Sequence, residues 1–216
     1  MTSKPVTSSQ QQPHQDLPGL VRRHCLKPWR KPTPTHSHAA FEQIQEWLGQ
    51  HAGRPVILDS FCGTGMSSAL LAKTHPDAAV IGIDKSAHRL SRHRSEPYRY
   101  QLVRTECEPL WQLLASAGIR LHKHYLLYPN PWPKPGQVQR RIHGHPAFPL
   151  LGALGGAIEL RTNWDIYAQE FHLACSTLGM ISALEALGDG APISLFEKKY
   201  REQGHPLWQV RARPSH

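Results

Sequence analysis

Two stretches of this sequence concentrate side chains able to do chemistry. In the first, Asp59-Ser60-Phe61-Cys62-Gly63-Thr64-Gly65 follows the apolar run Val56-Ile57-Leu58 and precedes a helical pattern from Met66 to Lys73. An acid at the end of a buried strand, then two glycines, makes a tight turn that lets backbone approach a small molecule closely. A second acid, Asp84, ends the next apolar run, Ala79 to Ile83. An acid about 20 residues beyond a glycine-rich turn can accept both hydroxyl protons of an adenosine ribose. The spacing is not the G-x-G-x-x-G of nicotinamide cofactors, whose helix start addresses a pyrophosphate. The second stretch is Tyr128-Pro129-Asn130-Pro131-Trp132-Pro133-Lys134, followed by Arg140 and Arg141. Its three prolines stiffen an extended loop. Such a loop holds Asn130 and Trp132 in fixed positions, as group transfer requires.

The elements that must position these loops alternate. Strands are expected at 56–58, 79–83, 101–103, 122–128 and 157–160. Helices are expected at 66–73, after Asp84, at 109–117 and at 163–175. Phe41, Ile44, Trp47 and Leu48 mark one face of a further helix within 39–50. Strands alternating with helices predict an α/β domain, a parallel sheet covered on both faces. Residues 1–18 read as a polar disordered tail, 19–36 as a basic arm and 37–216 as the domain itself. The arm carries Arg22, Arg23, Lys27, Arg30 and Lys31 around Trp29. It either grips phosphates and stacks a base, or is solvated and packs Trp29 on the domain.

A formal charge of +9 over 216 residues favours a polyanionic partner, with a generally basic surface as the alternative. The four cysteines are far apart and form no C-x-x-C pair. They suit a reducing compartment and neither a disulfide framework nor a zinc knuckle. There is no apolar run of membrane-spanning length and no signal-peptide core, so a cytoplasmic protein is expected. Strand neighbours His122 and His124, or the pair His143 and His145, share a spacing that chelates a metal. No acid or cysteine completes either set, so no metal is expected. The oligomeric state, monomer or homodimer, stays open.

Acid first, then glycines, resembles motif I of the class I methyltransferases, whose ligand is S-adenosylmethionine. That ligand has no phosphate and carries an ammonium group that Asp59 would favour, directly or through water. Many such enzymes have glycine where Phe61 stands here. Phe61 is therefore expected to adopt ordinary backbone angles or to line the pocket. Glu106, with Glu108 as competitor, lies where an acid commonly borders the adenine; a solvated acid at a helix start is the other reading.

The second stretch resembles the bacterial tRNA (guanine-N7)-methyltransferases. Their hallmark loop, Pro-Asp-Pro-Trp-x-Lys and a basic run ending in Arg-Arg, corresponds to Pro129 to Lys134 and Arg140-Arg141-Ile142. Further matches are Gly155-Gly156, Thr162-Asn163-Trp164 with Tyr167-Ala168, Ser194-Leu195-Phe196-Glu197, and Gly204-His205. The resemblance runs in order from about Val56 to the end. It implies a Rossmann-like, mostly parallel seven-stranded sheet, S-adenosylmethionine as methyl donor, and tRNA as partner. By resemblance Asp59, Gly63, Gly65, Asp84, Glu106 and Asn130 border the cofactor. Lys134, Asn163 and the segment Ser194, Leu195, Phe196 and Glu197 face the guanine, with Glu197 accepting from its Watson–Crick edge. Asn130 and Arg140 are the implied catalytic pair. Two family aspartates are asparagines here, Asn130 and Asn163, and the basic run before Arg140 is thinned. Two alternatives follow: an amino-group methyltransferase using Asn130-Pro131-Trp132, and a non-catalytic RNA-binding protein with the same fold.

Overall fold

A computed structural model describes residues 5–27 and 29–215. The expected strands form as Val56–Ser60 (β1), Ala79–Asp84 (β2), Tyr100–Arg104 (β3), Lys123–Leu127 (β4) and Ala157–Thr162 (β5). Two more close the chain, Ile181–Ala186 (β6) and Trp208–Arg213 (β7). The sheet order is β3-β2-β1-β4-β5-β7-β6, parallel except that β7 runs antiparallel to β5 and β6. Every residue of β2 is buried, as a central strand covered on both faces must be. β1 pairs with β2 on one side and with β4 on the other. The strand order therefore reverses at β1 and β4, and the crevice beyond their carboxyl ends is where such sheets bind ligands.

The period of two along the strands divides the core. Leu58, Ile81, Ile83, Leu126 and Leu160 face one layer, with Leu110, Trp111 and Phe171 among their partners. These come from Cys107–Ser116 and Asp165–Thr177. Ile57, Val80, Tyr125 and Leu127 face the other, against Leu71 and Ala72 of Met66–Thr74. In chain order the helices are Leu17–Leu26 (α1), Thr35–Gln50 (α2), Met66–Thr74 (α3), Ala87–Leu90 (α4), Cys107–Ser116 (α5), Leu150–Leu154 (α6), Asp165–Thr177 (α7) and Leu195–Glu202 (α8). The helix expected after Asp84 is a single turn, α4, capped by Ser86.

The N-terminal expectation needs correction where residues are described. The segment 5–16 is not a free tail. Ser8 Oγ donates to the Pro133 carbonyl, Gln10 Nε2 donates to Glu170, and the His14 amide donates to the same carboxylate. α1 then buries Leu17, Leu20 and Val21 in the main core. Polarity alone suggested a tail because the partners of these groups lie more than 120 residues away. Trp29 packs on the core and meets His145 edge-on, with centroids 5.8 Å apart. Arg22, Arg23 and Arg30 stay exposed. No helix among the described residues is long and apolar enough to cross a membrane.

Candidate active site

The turn after β1 is wired to the end of β2. The Cys62 amide donates to the Ile83 carbonyl at 3.0 Å and the Gly63 amide to Asp84 Oδ2 at 3.0 Å. The other Asp84 oxygen accepts from the Ser86 amide at 2.8 Å, and Arg89 approaches Oδ2 to 3.4 Å. Gly63, at φ 63°, has open space where a side chain would stand. Gly65, at φ 78°, does not: a Cβ there would lie 2.4 Å from Leu102. One glycine thus leaves the turn open, and the other lets it pack.

Asp59 is wholly buried. Its Oδ2 accepts from Ser67 Oγ at 2.6 Å and Ser68 Oγ at 2.7 Å. Its Oδ1 has no partner among the described residues. Burial pushes this carboxyl up to about 6; the two serine hydroxyls oppose the shift and Asp84 adds to it.

Phe61 adopts φ 63°, so ordinary backbone angles are not what the turn uses. Its ring meets Trp111 edge-on at 6.1 Å and lines a cavity of about 220 Å³. The same cavity is lined by Gly63, Thr64, Ser194, Leu195 and Phe196. The non-glycine residues at positive φ among those described are Phe61, Tyr128 and Trp132. All lie beyond the carboxyl ends of β1 and β4. Such strain costs on the order of 1–3 kcal/mol per residue and collects where a site needs a fixed, unusual shape.

The proline loop is held from inside by a motif residue that sequence reading left without a role. Arg141 is fully buried, while Arg140 is exposed. Arg141 donates to the carbonyls of Trp132 at 3.2 Å and Lys134 at 3.3 Å, to Gln10 at 2.9 Å and to Glu170. Its guanidinium also lies over the Trp164 ring at 4.9 Å. Glu170 accepts in addition from His143 at 2.7 Å. Burial would raise the Glu170 carboxyl, but His143 and Arg141 hold it down at about 2. Arg140 instead places its guanidinium 5.0 Å from the Trp132 ring centre. Asn130 is exposed, and its Oδ1 accepts from the Trp132 amide at 3.3 Å. Lys134 is exposed at the end of the loop.

The last segment folds as its sequence suggests. Ser194 caps α8 by accepting from the Glu197 amide at 3.1 Å. Leu195 and Phe196 are half-exposed. Glu197 is fully buried and bound by Arg161 at 2.8 Å and Arg201 at 3.1 Å. Arg161 also pairs with Glu159, which pairs with Lys123. Asn163 donates to His205 Nδ1 at 3.3 Å.

One cavity therefore joins the Phe61 to Thr64 turn with Ser194 to Phe196. Glu106 sits apart from it, next to the end of β3, where it precedes α5 and accepts from His36. The His36 contact holds its carboxyl below the ordinary range. With Lys85 and Arg104 it lines a second cavity of about 350 Å³. The residues given no role by motif reading are Arg141, Glu170, Arg161 and Arg89. Arg141 stands in the quoted Arg140-Arg141-Ile142 motif, and Glu170 left a signal as an acid among Tyr167, Phe171 and Ala174 on the apolar stripe of α7. Among the described residues no three His, Cys, Asp or Glu side chains are grouped to hold a metal.

Comparison with known proteins bears on this geometry. Residues 53–210 match the family described as "Putative methyltransferase". The chain belongs to this methyltransferase family. It is 28% identical over 171 residues to a tRNA (guanine-N(7)-)-methyltransferase of Sodalis glossinidius, covering 72% of this chain and 71% of the relative. The protein of the same description from Escherichia coli K12 is 25% identical over the same share of each chain. Among solved structures, a 16S rRNA (adenine(1408)-N(1))-methyltransferase of Catenulisporales acidiphilia superposes with a TM-score of 0.57. It is 17% identical and covers 80% of this chain and 91% of that one, a likeness of fold. The resemblance drawn from the motifs thus holds, and so does the mostly parallel seven-stranded class I fold.

Proposed function

We propose that this methyltransferase transfers the methyl group of S-adenosylmethionine to N7 of a guanine in tRNA. The observation that carries the reading is the shared cavity. The turn suited to the cofactor and the segment matching the guanine-facing motif line the same space, Phe61 to Thr64 against Ser194 to Phe196. The relatives described as tRNA (guanine-N(7)-)-methyltransferases support the substrate.

The residues present fit the cofactor. Asp59 Oδ1, buried and unpartnered, suits a cationic amino group, and the open side of Gly63 admits a ligand against backbone. Asp84 lies beside it, where it would hold ribose hydroxyls. When bound, the cofactor supplies an electrophilic methyl group on a sulfonium. Guanine N7 carries a lone pair and no proton, so the protein needs no general base. What it must do is align and stabilise charge.

Asn130 holds the loop through its own side chain and keeps an acceptor for the reacting centre without a negative charge. Lys134 and Arg140, both exposed, suit phosphate or the guanine O6. Leu195 and Phe196 offer an apolar face to a purine. Glu197 acts in this reading through Arg161 and Arg201, anchoring the segment rather than meeting the base directly. The test is transfer of labelled methyl to total tRNA, followed by nucleoside analysis. The expected product is 7-methylguanosine. Methyl on an exocyclic amine would replace this reading with the amino-group one, and cofactor binding without any transfer would leave a non-catalytic RNA-binding protein.

A further inference from the structure

Beside the proposed active site, α3 and the irregular segment 91–99 enclose a third cavity of about 550 Å³. It shares Thr64, Met66, Arg92 and Leu195 with the smaller cavity, so the two form one continuous groove. Its floor is apolar, from Met66, Leu70 and Tyr98. Its walls carry Lys73, Arg92 and Arg94, all exposed, and none has an ion-pair partner among the described residues. Glu96 is the acid that lines it, and it too is unpaired there. Arg89, by contrast, is committed to Asp84.

The wall is not loose. The Thr64 carbonyl can only accept, so His93 Nδ1 donates to it at 2.8 Å. Nε2 then accepts from Tyr100 Oη at 2.7 Å, and that oxygen accepts from the Glu96 amide at 2.9 Å. The basic wall is thereby tied to the cofactor turn itself.

We propose that this groove receives the strand of substrate RNA that flanks the target nucleotide, with phosphates on Lys73, Arg92 and Arg94 and a base against Met66, Leu70 and Tyr98. The assignment rests on the tRNA reading above and extends it to a site. Three unpaired cations against one acid around an apolar floor match a phosphodiester chain with unstacked bases. The floor also runs into the cavity where the methyl would be transferred. A strand that delivers a base there must continue along a neighbouring surface, and this one has the complementary charge.

The test compares full-length wild type with Lys73→Glu/Arg94→Glu, two groove cations that do not line the smaller cavity. The control is Arg54→Glu/Arg213→Glu, which makes the same charge change before β1 and at the end of β7, outside both the groove and the smaller cavity. Fluorescence anisotropy with labelled total tRNA is measured over a range of salt, and S-adenosylmethionine binding by calorimetry. The groove variant should bind tRNA at least about tenfold more weakly, with a salt slope smaller by roughly two, one per lost phosphate contact. Its cofactor affinity should stay within about twofold of wild type. Loss of RNA affinity equal to that of the control, or an unchanged slope, would overturn the groove. So would a wild type that binds no tRNA. Failure of the guanine-N7 reading looks different: the groove variant still loses RNA affinity, while wild type yields another modified nucleoside or none.

Discussion

Asp59 and Glu170 are both carboxylates wholly removed from solvent, and the fold surrounds them in opposite ways. Glu170, on α7, takes Arg141, His143, Gln10 and the His14 amide, and it is held ionised far below its ordinary range. Asp59, at the end of β1, takes two serine hydroxyls on one oxygen and leaves the other bare; burial pushes it up to about 6. The first is saturated and fixes the proline loop through the carbonyls that Arg141 binds. The second keeps an oxygen without a partner among the described residues, the one proposed to meet the cofactor's ammonium group. A buried acid with every lone pair satisfied serves the architecture; one with an idle oxygen beside an open turn is a candidate for binding.

The largest effect should come from breaking the saturated region. Glu170→Gln leaves Arg141 buried without its counter-charge, a loss of about 3–5 kcal/mol. At about 2–4 °C per kcal/mol for a chain of this size, melting should fall by roughly 10 °C. A thermal scan checks it, and a fall of less than about 3 °C would show that Arg141 finds another partner.

Next in size is the end of β2. Asp84→Ala removes the acceptor for the Gly63 and Ser86 amides and the one proposed for the ribose. Charge-assisted hydrogen bonds contribute about 1.5–3 kcal/mol each, so S-adenosylmethionine affinity should drop on the order of 100-fold. Calorimetry reads this directly, and unchanged affinity would remove Asp84 from the site.

A smaller, more selective change is Asp59→Asn. The amide keeps an acceptor for Ser67 and Ser68 but loses the charge. Cofactor affinity should fall about tenfold, the worth of one modest ionic contact. Melting without ligand should hold or rise, because an uncompensated buried charge has been removed. A variant as unstable as Glu170→Gln would erase the distinction between the two acids.

The two regions also differ in how much of them the sequence reveals. The Asp59 turn is local: strand, acid, glycines and helix follow one another, and periodicity places them. Asp84 is legible for the same reason, at the end of the next strand. Glu170 and Arg141 meet across 29 residues, and Gln10 joins them across 131, so no spacing exposes the cluster. Of the two expectations for Phe61, ordinary backbone angles fail because only the surrounding packing sustains a costly left-handed phenylalanine, while its ring does line the cavity. β6 and β7 escaped pattern reading because β6 is largely exposed and Trp208–Arg213 mixes Gln and Arg with its apolar residues.

The finest comparison is with pH. Glu170 is depressed from 4.5, so its contribution is complete above that value and fades as pH falls towards about 2. Asp59 is raised from 3.8 to about 6, so its protonated form is the favoured one in the ligand-free fold. Its stabilising contribution is complete below 3.8 and is lost as pH rises through about 6. Buried His124, lowered to about 3 by burial, works against the fold as pH falls below 6.5, and His143, lowered in the same direction, adds to this. The wild-type curve mixes all of these. The difference between wild type and Asp59→Asn cancels the histidines and Glu170 and leaves the Asp59 contribution. Between pH 7 and pH 5 wild type should gain on the order of 1 kcal/mol over the variant, a few degrees in melting temperature. Below pH 4 the difference should stop changing. Adding S-adenosylmethionine should reverse its sign near neutrality, because the ligand favours the ionised carboxylate. A difference that stays flat from pH 7 to pH 4, with and without cofactor, would mean that Asp59 is satisfied as it stands and that the ammonium is held elsewhere.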